Sequence, residues 1–229
     1  MTIEADLLFR LVDVFGVFAN AVLGGAVART KGFDAIGFAI LAICSGLGGG
    51  MLRDVLLGVG FPVALTDPLY LSSALIGAAV AFLLDLGRGW GRRALLLGDA
   101  LALGCWSATG AAKALGVGLA YLPAIFLGVI TAVGGGMLRD ILVNQTPSVF
   151  NGPLYATVSV IASTEMVVLR SLDQYGLGMG LAIITGGVLG LVSRWRQWTL
   201  PPAAQWTVPR PRVRKLFRSR ARPPKGRLF

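Results

Sequence analysis

Two stretches of this chain combine residue types that could handle charge inside apolar surroundings. Gly48-Gly49-Gly50-Met51-Leu52-Arg53-Asp54 recurs as Gly134-Gly135-Gly136-Met137-Leu138-Arg139-Asp140, seven consecutive identities at an offset of 86 residues from Gly48 to Gly134. Ser45 precedes the first copy and Thr131 the second. On a helix, at about 100° per residue, Gly46, Gly50 and Asp54 share a stripe with Gly49 and Arg53 beside it. The second copy repeats the pattern with Ala132, Gly136 and Asp140 beside Gly135 and Arg139. Three successive glycines weaken a helix by about 1 kcal/mol each relative to alanine, which predicts a local kink or unwinding that frees carbonyl oxygens. Carbonyls beside the Ser45 or Thr131 hydroxyl are the oxygen ligands a dehydrated alkali cation takes. The same residues also suit plain close packing, with the Arg-Asp pairs as interhelical glue.

The charged residues set the remaining terms. An Arg or Asp facing lipid costs on the order of 2.5 to 3.5 kcal/mol, so this face looks into protein or water. Arginines repel a permeant cation unless neutralised, so Asp54, Asp140, Asp13 or Asp99 is expected to pair with Arg53 and Arg139. An anion path fits the same residues. Lys113 is a further charged candidate, either snorkelling to the interface or acting in gating.

The surrounding chain is a membrane protein. Of 229 residues, 55% are hydrophobic and only 14% charged, and several apolar runs reach the roughly 20 residues a helix needs to cross a bilayer. Continuous rather than alternating apolar runs disfavour a β-barrel. Thirty-two glycines suit close helix packing in lipid. Cys44 and Cys105 carry no metal or redox spacing and read as small core residues. With no histidine, the usual metal ligand and the commonest general base are missing. No nucleophile motif occurs, and no Lys-Ser or Lys-Thr follows the glycines as a phosphate loop requires. The expectation is therefore no enzyme, no cofactor and no metal beyond transient monovalent cations. Glu4 and Asp6, with Arg10 and Asp13, argue against a secretory signal at the start.

Seven spans follow, at about 9–29, 36–57, 69–86, 96–116, 121–143, 154–170 and 176–194, with turns at Gly32, Pro62 to Pro68, Gly87 to Gly91, Gly116 to Gly118, Pro147 to Pro153 and Asp173 to Gly176. The repeat extends beyond its signature. Asp13 pairs with Asp99, Gly24 with Gly110, Ala28 with Ala114, and after the loss of one residue Asp67-Pro68-Leu69-Tyr70 aligns with Gly152-Pro153-Leu154-Tyr155. Repeat 1 covers about 9–86 and repeat 2 about 96–170, three helices each. Three is odd, so the second unit is upside down relative to the first: an all-α polytopic membrane protein with two inverted three-helix repeats plus one (3+3+1). Inverted repeats place a shared site near the midplane, often on broken helices. Arg53 is expected toward the outer half and Arg139 toward the inner half, roughly 8 to 10 Å from the midplane.

The basic residues at the helix ends set the N-terminus outside and the C-terminus in the cytoplasm. The transmembrane domain spans 1–195. The 196–229 segment is expected to be a disordered cytoplasmic tail, its last 29 residues holding six prolines, nine Lys or Arg and no acid. Such a tail would bind anionic lipid headgroups at roughly 1 kcal/mol per basic residue near the surface; nucleic acid is not expected as a partner.

With both glycine motifs, the 3+3+1 layout and the span holding Asp99 and Lys113, the chain resembles a bacterial member of the trimeric intracellular cation (TRIC) channel family, also labelled glycine-transporter-like. The resemblance covers about residues 7 to 195. It implies a homotrimer in the bacterial cytoplasmic (inner) membrane, with one pore per protomer through kinked second and fifth helices, conducting K+ and less selectively Na+. Animal members carry a Lys-Glu-Val gating signature in the fourth helix, and no Lys-Glu-Val occurs here. The resemblance implies a pore lined by Ser45, Gly48, Gly49, Gly50, Arg53 and Asp54 with Thr131, Gly134, Gly135, Gly136, Arg139 and Asp140. Lys113, Asp13 and Asp99 are candidate gating or charge partners. Inverted repeats suit a secondary transporter of a small solute such as glycine equally well, and the resemblance favours the channel.

Overall fold

In a computed structural model of the chain, the described residues are 3–84, 89–151 and 154–200. The expected tail after 200 lies outside them, as do the turn residues Gly87 and Arg88 and the aligned Gly152-Pro153. The first compact unit runs from Met1 to Thr199. Among the described residues there are nine helices: α1 (Ile3–Thr30), α2 (Ala35–Leu57), α3 (Val63–Thr66), α4 (Pro68–Leu83), α5 (Gly89–Gly116), α6 (Tyr121–Leu142), α7 (Ser148–Asn151), α8 (Tyr155–Ser171) and α9 (Tyr175–Arg196). Each of the seven expected stretches overlaps one of the longer helices, with residues 85 and 86 of the third outside the described residues. Stretches in α1, α2, α5, α6 and α9 are long and apolar enough to cross a membrane, whereas α4 has 16 residues and α8 has 17.

The boundaries follow local chemistry. Asp34 caps α2 by accepting from the Gly37 N–H at 2.7 Å, and Gly58 closes it in the left-handed region. Asp67 caps α4 ahead of Pro68. Three of the expected turns are different in the structure. Gly89 to Gly91 already belong to α5, whose first turn is held by Arg93 over the Trp90 ring. The connections at Pro62 to Pro68 and Pro147 to Pro153 each contain a four-residue helix, α3 and α7.

The glycine triplets do not break their helices. Both α2 and α6 are continuous through Gly48–Gly50 and Gly134–Gly136, and none of these residues takes a positive φ. Packing overrides the low propensity, because the missing Cβ atoms let two backbones meet. A Cβ on Gly49 would collide with the Thr131 carbonyl, and a Cβ on Gly135 with that of Ser45. As the partner moves from Ser45 to Gly49 along α2, it moves from Gly135 back to Thr131 along α6, so the helices cross in opposite directions.

Small residues also bring α9 onto α5, where Gly186 faces the backbone of Gly104. The core is built from alanines such as Ala21, Ala102, Ala108 and Ala162, with Leu41, Leu103, Met166 and Met179 filling between them. Large apolar side chains such as Ile40, Leu122, Phe126, Ile184 and Val188 point outward, the pattern of helices whose solvent is lipid. Cys105 is buried, Cys44 is half-buried, and both are free thiols.

Gly49→Ala is expected to cost about 1 to 3 kcal/mol or more through overpacking against backbone that cannot yield. Gly180 meets no atom that a Cβ would touch, so Gly180→Ala should be neutral or gain up to about 1 kcal/mol of helix propensity. Thermal unfolding of the detergent-solubilised variants separates the two. Equal melting temperatures would contradict the packing role.

Candidate functional site: two repeat-related polar cavities

The glycines of the repeated motif differ in what they meet. The first glycine admits the partner's leucine, Gly48 meeting Leu138 and Gly134 meeting Leu52. The second lets the backbones touch. The third lies under its own arginine, where a Cβ on Gly50 would stand in ordinary contact with Arg53 Nη2 at 3.7 Å and one on Gly136 with Arg139 Nη2 at 3.8 Å. The guanidinium thus lies back over the preceding turn, the direction in which helical side chains lean.

From there Arg53 Nε donates to Asp54 Oδ1 at 2.8 Å, and Arg139 Nε donates to Asp140 Oδ1 at 2.9 Å. The second oxygen of each carboxylate accepts from the first N–H of the following short helix, Val63 of α3 and Ser148 of α7, both at 2.9 Å. Arg53, Asp54 and Asp140 are each 6% exposed. The arginines are neutralised by their own neighbours in sequence. Because α2 and α6 run oppositely and both pairs lie near C-terminal ends, the two pairs sit at opposite ends of the crossing.

Asp13 and Asp99 do not pair with these arginines. Asp13 accepts from the Tyr70 hydroxyl at 2.5 Å and from the Trp106 indole N–H at 2.6 Å. Asp99 accepts from the Tyr155 hydroxyl at 2.9 Å and from the Arg194 guanidinium. Tyr70 and Tyr155 were already in register through the aligned Pro-Leu-Tyr, as were the two aspartates, so the repeat carried a signal for both contacts. Trp106 and Arg194 carried none. Lys113 Nζ lies 3.3 Å from Asp54 Oδ1, so it joins the first Arg-Asp pair. Ser45 and Thr131 are buried beneath Gly24 and Gly110 respectively. The Thr131 hydroxyl donates to the Leu127 carbonyl at 2.6 Å, while Ser45 Oγ has no partner among the described residues.

Several of these groups line two cavities that are images of each other under the repeat, while Ser45 and Asp140 border neither. The first, about 30 Å³, is bounded by Asp13, Gly46, Gly50, Arg53, Tyr70 and Trp106; the second, about 230 Å³, by Asp99, Ala132, Gly136, Arg139, Tyr155 and Asn20. Asn20 and Trp106 are themselves 86 positions apart, so each repeat sends one side chain from the same position into the other's cavity. The indole leaves room for about one water, while the opposite cavity has room for several. A third cavity of about 210 Å³ lies beyond Asp54 and Val63, with Lys113 and Phe61 on its wall.

A helical membrane protein with two antiparallel polar half-sites on either side of a glycine crossing belongs to the channel and transporter class. A family profile described as glycine transporter matches the chain twice, over residues 10–85 and 96–171, reproducing the 86-residue offset. The UPF0126 membrane protein of Deinococcus radiodurans is 34% identical over 197 residues, covering 83% of this chain and 89% of the relative. The UPF0126 inner membrane protein YadS of Escherichia coli is 30% identical, covering 81% and 87%. Among solved structures, one from work on conductance through TRIC cation channels is similar at a TM-score of 0.79 with 29% identity, covering 85% of this chain and 96% of the other. The TRIC trimeric intracellular cation channel orthologue of Rhodobacter sphaeroides is similar at 0.75 with 30% identity, covering 83% and 99%. The chain belongs to the TRIC family of bacterial membrane proteins.

Asp54→Ala should destabilise the protein by about 3 to 5 kcal/mol, because it strands a buried guanidinium and the Val63 N–H. Replacing both partners, Arg53→Met with Asp54→Leu, should recover most of that loss. Unfolding curves in matched nanodiscs test this, and a double variant no more stable than the single one would contradict the pairing.

Proposed function

We propose that the chain is a monovalent-cation channel of the bacterial inner membrane, permeable to K+ and less selectively to Na+, with one pore in each protomer of a homotrimer. The route enters at the Lys113 cavity, passes Asp13 and Tyr70, and leaves through the Asp99 cavity; α2 and α6 are in backbone contact at the glycine triplets between the cavities, so an ion crosses there only when the two helices part. The seven longer helices span the membrane as two inverted triplets plus α9, with the N-terminus outside, and the basic tail meets anionic headgroups. The observation that carries this reading is the pair of repeat-related carboxylates, Asp13 and Asp99, flanking a crossing whose arginines are already neutralised. A permeant cation meets acceptor oxygens on both sides, and Asp54 and Asp140 quench the positive charge that would repel it. Both solved relatives are TRIC cation channels, which favours conduction over the coupled transport that a glycine-transporter family suggests.

In planar bilayers, purified protein should pass single-channel currents whose reversal potential in a KCl gradient lies near that of potassium. A reversal near that of chloride, or absent currents together with saturable glycine counterflow, would overturn the reading. Arg53→Ala and Arg139→Ala should each change conductance or open probability more than trimer yield, and unaltered currents in both would remove the arginines from the route.

A further inference from the structure

The two half-sites differ in one respect that the repeat does not dictate. Tyrosine holds the carboxylate in both, yet Asp99 also binds a cation that belongs to the chain itself. Arg194 comes from α9, outside the two matched repeats. Its guanidinium donates to Asp99 Oδ2, and its Cζ stands 5.1 Å from the centre of the Tyr155 ring. Carboxylate oxygen on one side and an aromatic face on the other is the environment a desolvated monovalent cation seeks. At Asp13 the hydrogen bonds come from Tyr70 and Trp106, both neutral. The half-buried Asp13 is thus held in this position without a basic hydrogen-bond partner among the described residues.

Arg194 is also incompletely used. Its Nη1 is buried with no hydrogen-bond partner among the described residues, whereas guanidinium groups that serve as structural staples have their donors satisfied. It contributes to the wall of the 230 Å³ cavity, so space adjoins it. The backbone just beyond it is anchored, since the Leu154 N–H donates to the Trp198 carbonyl at 3.1 Å. The side chain can leave Asp99 without α9 leaving the bundle.

We propose that Asp99 and the Tyr155 ring form a monovalent-cation site on the permeation route, and that Arg194 is its tethered, exchangeable occupant. With Arg194 seated the site is filled and this half of the route is blocked. With Arg194 withdrawn, a permeant ion takes its place. The inference rests on the channel reading above and adds a built-in competitor at one of its two carboxylates.

The test uses the full chain in planar bilayers at low KCl. Arg194→Ala should raise the cation current about fivefold or more, the scale on which one unit charge changes ion occupancy in a narrow cleft. Millimolar guanidinium should then suppress that current reversibly and affect wild type much less, its site being occupied already. Arg194→Lys, which keeps the charge, should stay close to wild type. Should Arg194→Ala yield no trimer, Asp99→Asn decides the matter. It leaves Arg194 without its counter-charge, so cation current should fall and the reversal potential should move toward chloride; unchanged conductance and selectivity would overturn the proposal. A conducting wild type with an unaltered, guanidinium-insensitive Arg194→Ala current sinks this inference alone. A wild type without cation current sinks the channel reading and takes this one with it.

Discussion

The backbone contact between α2 and α6 is the constraint on which the rest of the structure depends. Two helices meet there with carbonyl oxygen set against glycine, Gly49 on Thr131 and Gly135 on Ser45. Any side chain at either position would force the helices apart, and the space between α2 and α6 would open. The contact also determines where charge can sit. Arg53 and Arg139 lie one turn past the crossing, each folded back over a glycine and quenched by the next residue. A buried pair of this kind contributes little net stability against an apolar alternative, but breaking it is costly. Its contribution here is to anchor the following chain, since each aspartate also holds the start of a short helix.

Around that crossing the two halves agree in their contacts and differ in their contents. Tyrosine to aspartate, arginine to aspartate and aspartate to the next N–H recur in both copies. The difference comes from the position shared by Asn20 and Trp106. An amide leaves one cavity about 230 Å³, while an indole reduces the other to about 30 Å³. Each half also receives one cation that has no counterpart in the other copy, placed on a different carboxylate: Lys113 of α5 on Asp54 and Arg194 of α9 on Asp99.

Much of this was legible in the amino-acid order. Long apolar stretches mark the helices, and a constant offset marks the duplication. The adjacency of Arg and Asp in each motif already contains the neutralised pair. The glycine triplets were legible as special and misleading as to effect, because intrinsic propensity predicts a break where tertiary contact keeps the helix whole. The short helices α3 and α7 escaped notice because four residues carry no periodicity. Arg194 escaped because it reads as one more basic residue at a cytoplasmic helix end; its seat on Asp99 is fixed by how α9 packs on α5 at Gly186 and Gly104, a contact between small residues with no pairing signal. The matched tyrosines show the opposite case, where alignment of two residues in both copies already implied alignment of their contact.

The reciprocity of the crossing bears on how such a protein can diverge after duplication. In most tandem copies each half is free to drift, since its environment is its own. Here each motif is the mould of the other: a methyl group added to one copy is felt by the backbone of its sister. The first two glycines and the leucine of the motif are therefore held matched while the flanking helices have lost most of their likeness, and inheritance alone need not account for it. The shared surface makes the two copies a single unit of descent, in which neither spelling can change until the other makes room.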